Sequence, residues 1–304
     1  MKLTTVQMAE FVASGVLCLE GVVPDAMNAA FLSRVQTPVG DEPLGLDAVY
    51  RRLFDAEVLP TLSPGVDFFE GFKGIEPLQS IFSLAAVQGA IHSLVGLKPK
   101  FDHHFLHLSL GKNPLSPKVR SRAAQHTHQD STIDPRRAFD IQLFYFPQTV
   151  TATMGGTRYV PGSHLRVVSE SAIARYQNVK GQQHVVCPAG SIYLFHMGIW
   201  HGAGLNRSET NRYLYKVRLA PSQPQVRLWD TKDLDCSGDN QRPIFWIDPK
   251  RSDPVAEAMM RLEPWYEGDT GRLELINRLK LWRYLTGSQD VDIDYWLTRA
   301  ENDW

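Results

Sequence analysis

A histidine and an acid at short spacing are the residues of this chain best suited to hold a metal ion. Of ten histidines, only His128 stands two residues before an acid, in His128-Gln129-Asp130. Side chains two apart on an extended segment point to the same face, so this imidazole and carboxylate can share one metal. A hydrogen-bonded pair on the surface is the alternative interpretation. A 2-His-1-carboxylate iron site needs a second imidazole and leaves positions open for substrates.

Two histidines downstream compete to be that second imidazole. His201 ends an apolar run and is followed by small residues, in Trp200-His201-Gly202-Ala203-Gly204, and small neighbours let ligands approach closely. Arg212 comes eleven residues later and could hold a carboxylate through two hydrogen bonds. His196 and Arg207 have the same spacing. We favour His201 with Arg212, because Arg207 lies in a polar turn whereas Arg212 opens an apolar strand.

Short strands separated by turn signals predict the framework that positions these residues. In Phe101–Leu110, leucines alternate with histidines, as in a strand with one buried face. Proline, glycine and asparagine mark the turns between the later strands. Many short strands at this spacing are typical of a double-sheet jelly roll of cupin type. The further predicted strands are Val16–Leu19, Phe139–Phe146, Gly156–Val160, Gln183–Val186, Ser191–Phe195 and Arg212–Leu219.

Helices are predicted on both sides of this β region, which makes the fold class mainly β with flanking helices (α+β). A capping box at Thr4–Gln7 begins a helix that ends at Gly15, and Pro24 begins a second one towards Arg34. Residues 77–97 carry no charge, but polar residues interrupt them, so we interpret this stretch as a buried helix rather than a membrane span. Residues 36–75 give no clear pattern. Helices at Val255–Glu263 and Arg272–Leu285 predict an extension, residues 221–304, packed on a domain of residues 1–220.

The composition favours a globular protein of the cytoplasm. Hydrophobic residues make up 43% of the 304 residues, enough for a packed core. The net charge is −1, which gives no general reason to expect nucleic acid or an anionic membrane as partner. Cys18, Cys187 and Cys236 form no paired motif and are expected to be reduced thiols. No apolar stretch of signal-peptide type opens the sequence.

Taken together, these motifs resemble the phytanoyl-CoA dioxygenase family. The resemblance rests on His128-x-Asp130, the turn Gly156-Thr157-Arg-Tyr-Val-Pro161-Gly162-Ser163-His164, the segment Trp200–Asn206 and Arg212, in this order. It runs from the first helix to about Leu219. It implies a double-stranded β-helix and an enzyme that uses Fe(II), 2-oxoglutarate and O2. The tail after Pro224 lies outside the common core of that family.

The same resemblance implies a role for each matching residue. His128, Asp130 and His201 would be the iron ligands, and Arg212 would anchor the distal carboxylate of 2-oxoglutarate. Gln125 and Thr157 match positions that touch this co-substrate, although either could instead satisfy backbone groups of the sheet. His103, His104 and His107 are expected to be packing or hydrogen-bonded residues, and the alternative is that one of them lines the pocket. A carboxylate at position 130 favours hydroxylation or another oxidation, because halogenating relatives have a small residue there.

The substrate is expected to be a small molecule, and basic residues near His128 leave open that it is anionic. These residues are Lys112, Lys118, Arg120, Arg122, Arg136 and Arg137. They either rim the entrance to the site or belong to ordinary solvated loops, and we favour the second interpretation. Two other functions compete with a 2-oxoglutarate enzyme. One is a cupin-type protein that binds a metal without turnover, and the other is a metal-dependent oxygenase or isomerase that does not use 2-oxoglutarate.

Overall fold

The computed structural model describes residues 1–40, 46–112, 124–131, 140–166, 173, 178–223, 228–234 and 254–260. Its helices are α1 (Thr5–Ser14), α2 (Asp25–Val39), α3 (Leu46–Asp55), α4 (Phe68–Gly71), α5 (Leu78–Phe82), α6 (Ala85–Val95) and α7 (Pro254–Met260). Its strands are β1 (Val16–Leu19), β2 (Lys100–Ser109), β3 (Ile141–Phe146), β4 (Thr157–Val160), β5 (Gln183–His184), β6 (Ser191–His196), β7 (Trp200–Ala203) and β8 (Arg212–Ala220).

Two antiparallel sheets form the core. The larger sheet has the strand order β1-β6-β3-β8-β2 and the smaller one has the order β5-β4-β7. Over the described residues the two sheets stay separate and do not close into a barrel. The predicted fold class, a mainly β jelly roll flanked by helices, is therefore confirmed.

Side-chain alternation on the larger sheet determines what packs on each of its faces. Leu143, Tyr145 and Tyr215 point outward and join the apolar cluster formed with the helices, where the ring of Phe31 lies 5.3 Å from that of Tyr145. Phe144 and Phe195 point the other way, toward the smaller sheet. The molecule therefore has three layers, and the inner face of the larger sheet looks onto the smaller sheet.

The N-terminal helix begins and ends as its sequence predicts. Thr4 Oγ1 accepts a hydrogen bond from the Gln7 N–H at 3.2 Å, and Gln7 Oε1 accepts one from the Thr4 N–H at 3.0 Å. Gly15 ends the helix with φ of +74°, a conformation that glycine adopts at little cost. The chain then enters β1, which pairs with β6 and so anchors this helix to the larger sheet.

Several predicted boundaries move, and part of the predicted C-terminal extension lies outside the described residues. Residues 77–97 form the buried helices α5 and α6 rather than one helix, and no described helix is long and apolar enough to cross a membrane. Helix α2 continues past Arg34 to Val39, and the unassigned stretch 36–75 contains α3 and α4. In the C-terminal extension, α7 packs against α1, whereas the helix predicted at 272–285 lies outside the described residues.

Candidate metal centre

A reciprocal pair of backbone hydrogen bonds joins the two predicted histidine ligands. The His128 N–H donates to the His201 carbonyl at 2.9 Å, and the His201 N–H donates to the His128 carbonyl at 2.8 Å. Residues that exchange both bonds stand directly opposite each other with their side chains on one face. The imidazole centroids are 4.5 Å apart. His128 belongs to a single bridge rather than to a regular strand, and this bridge extends the edge of β7.

Asp130 completes a cluster of three potential ligands. Its Oδ1 lies 3.5 Å from His128 Nε2, and its Oδ2 lies 3.8 Å from His201 Nε2. One ligand atom from each of the three residues lies within 4.8 Å of the others, and the described part of the chain holds no other such group of three. The structure therefore brings together the acid and the two histidines that the sequence singles out.

Backbone carbonyls determine which nitrogen of each imidazole faces this cluster. His128 Nδ1 lies 3.0 Å from the His126 carbonyl, and His201 Nδ1 lies 3.1 Å from the Ile199 carbonyl. A carbonyl only accepts, so each Nδ1 carries the hydrogen and each Nε2 has its lone pair directed at Asp130. Such a second hydrogen bond orients most metal-binding histidines. Two bare Nε2 atoms and a carboxylate match the donor set of non-haem Fe(II), so these residues fit the ion.

Burial and neighbouring charges keep these groups in the forms that bind metal. Burial lowers the pKa of His201 to about 3, against the opposing effect of Asp130, so this ring is neutral at pH 7. Burial acts to raise the pKa of Asp130, but the neighbouring side chains of His128, His201 and Lys216 outweigh it and hold that pKa well below its usual range. A neutral imidazole and an ionised carboxylate are the forms that coordinate metals.

Arg212 places its guanidinium in the same cavity. The residue is 3% exposed, and burial lowers its pKa to about 10, which leaves it charged at neutral pH. Its Nε donates to the Met154 carbonyl at 3.2 Å, and the terminal nitrogens have no hydrogen-bond partner among the described residues. A buried, charged guanidinium with its terminal nitrogens available can bind the carboxylate of a ligand through two hydrogen bonds.

The two other predicted co-substrate residues differ in what their side chains already contact. Thr157, buried at the start of β4, lines the cavity, and its hydroxyl has no partner among the described residues. Gln125 also lines the cavity, but its Oε1 accepts the Ala203 N–H at 3.2 Å. Thr157 is therefore free to contact a ligand, whereas Gln125 helps to hold the end of β7.

The competing pair, His196 and Arg207, lies elsewhere. His196 is fully buried, its ring lies 5.0 Å from that of His164, and its Nδ1 accepts the Gly198 N–H at 3.0 Å. Arg207 is exposed, and its backbone N–H bonds to the Thr153 carbonyl. Neither lines the cavity around Asp130, so the structure separates the two alternatives that equal spacing leaves open.

The small residue after His201 serves a purpose other than the one expected from the sequence. A Cβ at Gly202 would lie 2.8 Å from the His126 carbonyl oxygen and 2.9 Å from that of Gln125. The space beside Gly202 is therefore filled by the backbone of the segment that carries His128, not by a ligand. The expectation of ligand approach was wrong, and the glycine instead permits the bridge between the two histidines.

The cavity holds about 220 Å³ and contains three residues that sequence reasoning missed or placed differently. His103 and His107, expected to be packing or hydrogen-bonded residues, line it, whereas His104 bonds to the Tyr215 hydroxyl at 2.7 Å. Lys216 was missed. It lies four residues after Arg212 on the same face of β8, and this even spacing is the signal that could have found it.

Comparisons with known proteins give one family match and a set of structural matches. Residues 11–213 match the family described as phytanoyl-CoA dioxygenase (PhyH). The non-heme monooxygenase ThoJ in its apo form superposes with a TM-score of 0.51 at 16% identity, over 73% of this chain and 80% of ThoJ, which supports the fold. HygX from Streptomyces hygroscopicus, with nickel and 2-oxoglutarate bound, gives 0.47 at 14% identity over 71% and 86%. No curated protein matches the sequence.

The match to the family spans about two thirds of the chain and includes every residue of the cluster, and Arg212 as well. It ends within β8, so the C-terminal extension lies outside it. On this evidence the chain belongs to the phytanoyl-CoA dioxygenase family and is an Fe(II)- and 2-oxoglutarate-dependent oxidoreductase.

Proposed function

We propose that the protein hydroxylates an aliphatic C–H bond of a small organic substrate, with His128, Asp130 and His201 as the iron ligands. The net reaction converts the substrate, 2-oxoglutarate and O2 into an alcohol, succinate and CO2. The observation that carries this proposal is the convergence of two bare Nε2 atoms and one carboxylate beside a buried arginine. O2 is the oxidant, bound iron would activate it with two electrons from 2-oxoglutarate, and the protein supplies the geometry.

Each residue then has a defined task. The carbonyls of His126 and Ile199 hold the two imidazoles with Nε2 toward the metal. Arg212 neutralises the distal carboxylate of 2-oxoglutarate, and the Thr157 hydroxyl donates a hydrogen bond to the same molecule. Gln125 acts indirectly, because its side chain holds the backbone of Ala203 opposite Thr157 in the β4–β7 register.

An anaerobic titration tests the proposal before any substrate is known. Apo-protein receives Fe(II) and then 2-oxoglutarate, and we expect a visible metal-to-ligand charge-transfer band that saturates with one equivalent of each. In Arg212→Ala, the dissociation constant for 2-oxoglutarate should rise at least about 30-fold, because loss of one partner of a buried charged pair costs roughly 2–5 kcal/mol. Arg207→Ala is the matched control and should leave the titration unchanged, since Arg207 is exposed.

Two results would contradict the proposal. If iron binds but no band forms, the protein holds a metal without 2-oxoglutarate. If Arg212→Ala and Arg207→Ala bind 2-oxoglutarate equally well, Arg212 is not the anchor. Hydroxylation itself is tested by mass spectrometry once a substrate is found, since the product should gain one oxygen atom and carry label from 18O2.

A further inference from the structure

Lys216 places a buried positive charge directly beside the proposed iron ligands. Its side chain is 8% exposed, and Nζ donates to Asp130 Oδ2 at 2.5 Å. The same ammonium lies 5.5 Å from the centroid of the Phe144 ring. Among the described residues Asp130 is its only hydrogen-bond partner, so two of the three ammonium protons have no acceptor there. Burying a lysine in this way costs folding free energy unless its charge is paired and its protons are hydrogen-bonded.

The charges of the cavity do not balance when the cofactors are added. Asp130 is the only acid among the described residues that line it, and Arg212 and Lys216 are the two bases. The described residues of the cavity thus contribute one net positive charge. Fe(II) adds two positive charges and 2-oxoglutarate adds two negative ones, so one positive charge remains. His107 does not add to it, because burial lowers its pKa to about 4.

The position of Lys216 differs from that of Arg212 along the same strand. Arg212 opens β8, bonds to the Met154 carbonyl and lies near Thr157 of the smaller sheet, whereas Lys216 pairs in register with Phe144 on one side and Phe105 on the other. Phe105 is 52% exposed and lies on the edge strand β2. Lys216 therefore lies four residues along β8 from Arg212, beside the half-exposed Phe105, which also lines the cavity.

We propose that Lys216 determines substrate specificity by binding the negatively charged group of a monoanionic substrate, a free carboxylate, while it keeps its contact with Asp130. This inference rests on the proposed function and adds to it the class of the substrate. The carboxylate supplies the missing negative charge and accepts the ammonium protons that lack a partner. A neutral substrate leaves the cavity with an uncompensated charge and is discriminated against.

Matched acids and amides test the proposal on the unmodified protein. The Fe(II)- and 2-oxoglutarate-loaded protein is titrated without oxygen with butanoate, hexanoate and benzoate, and in parallel with the three corresponding primary amides. Binding is followed by the change in the charge-transfer band. At least one carboxylate should bind at least tenfold more tightly than its amide, which has nearly the same shape but no charge. If no carboxylate perturbs the band, or if the amides bind as well, the inference is wrong.

Variants then show whether Lys216 is responsible for the preference. Lys216→Met should abolish the tenfold difference between acid and amide, and Lys216→Arg should retain most of it. Arg218→Met is the matched control, because Arg218 lies two residues further on the same face but is paired with Asp102 at 3.3 Å and does not line the cavity. It should leave the preference unchanged.

Three other outcomes would overturn the assignment, and each has its own signature. If Lys216→Met weakens 2-oxoglutarate binding as much as Arg212→Ala does, Lys216 belongs to the co-substrate site. If it changes the affinity for Fe(II) but keeps the preference for acids, Lys216 only positions Asp130. If Arg218→Met removes the preference as well, the effect comes from the summed positive charge of the basic residues on β8 and not from Lys216 itself. Failure of the charge-transfer band in the unmodified protein would instead refute the proposed function.

Discussion

Among the described residues, two pairs of histidines bring their rings to within 5.0 Å of each other, and only one pair has the surroundings of a metal site. The rings of His128 and His201 are 4.5 Å apart, and those of His164 and His196 are 5.0 Å apart. The first pair faces Asp130 and a cavity. The second pair lies in the core, where His164 Nε2 bonds to the Val12 carbonyl at 3.0 Å. Two close imidazoles are therefore insufficient, and an adjacent carboxylate with an open cavity makes the difference.

The largest expected effect comes from removing a proposed iron ligand, either a histidine of the first pair or the adjacent Asp130. His201→Ala and Asp130→Ala should each weaken Fe(II) binding by more than 100-fold, beyond the roughly 10–100-fold loss that follows when a supporting partner of a ligand is removed. 2-Oxoglutarate consumption should disappear as well. Anaerobic calorimetric titration with Fe(II) gives the affinities.

The matched change in the second pair is His196→Gln. The folded fraction of this variant should bind Fe(II) like the parent, although the loss of the acceptor for Gly198 should cost about 1–3 kcal/mol of folding free energy. Loss of Fe(II) binding in folded His196→Gln would mean that the second pair, not the first, is part of the metal centre.

A smaller effect is expected in the second histidine pair, where burial of His164 makes the free energy of unfolding depend on pH. Burial lowers the pKa of His164 from its usual 6.5 to about 3. Between these values the unfolded chain binds a proton that the folded protein does not, so stability falls as the pH falls through this window. The contribution of His164 amounts to about 2 kcal/mol between pH 7 and pH 5. Urea unfolding of the metal-free protein at both pH values should show His164→Gln losing less stability than the parent on acidification. An equal loss would argue against a buried neutral ring.

The smallest effect compares two glycines, each in close contact with one pair. A Cβ at Gly202 would press on the backbone carbonyls of Gln125 and His126, and a Cβ at Gly15 would lie 2.5 Å from His164 Nδ1. Gly202→Ala should displace the segment that carries His128 and weaken Fe(II) binding about tenfold, which corresponds to about 1.4 kcal/mol. Gly15→Ala should lower stability alone, since its φ of +74° is strained for alanine. Equal Fe(II) affinity in both variants would show that the backbone pairing between His128 and His201 can shift without loss of Fe(II) binding.

The sequence singles out the three residues that the structure brings together, because part of their spacing follows from strand geometry. His128 and Asp130 are separated by one residue, and His201 and Arg212 lie on adjoining elements whose ends are marked by turns. Strands such as β2, with its alternation, and β3, with its apolar run, appear within about two residues of their predicted bounds where the structure describes them. Local patterns therefore determine local elements here.

Contacts between distant segments are what the sequence does not reveal. Lys216 follows the alternation of a strand with one polar face, and such residues ordinarily face solvent. Only the smaller sheet, which covers that face, turns the position into a buried one beside Asp130. The same holds for Gly202, whose neighbour is backbone from 76 residues earlier in the chain. Neither partner is visible in a local pattern.

The carbonyl groups behind the two imidazoles have a consequence for how the site withstands mutation. Metal-binding histidines often rely on a second side chain to fix the ring, and a single substitution can remove it. Here both acceptors, at His126 and Ile199, are peptide oxygens, which every amino acid at those positions would supply. The backbone path alone thus orients the two imidazoles. Substitutions around the centre can therefore change which substrate the protein accepts while the two Nε2 atoms and the carboxylate keep their arrangement.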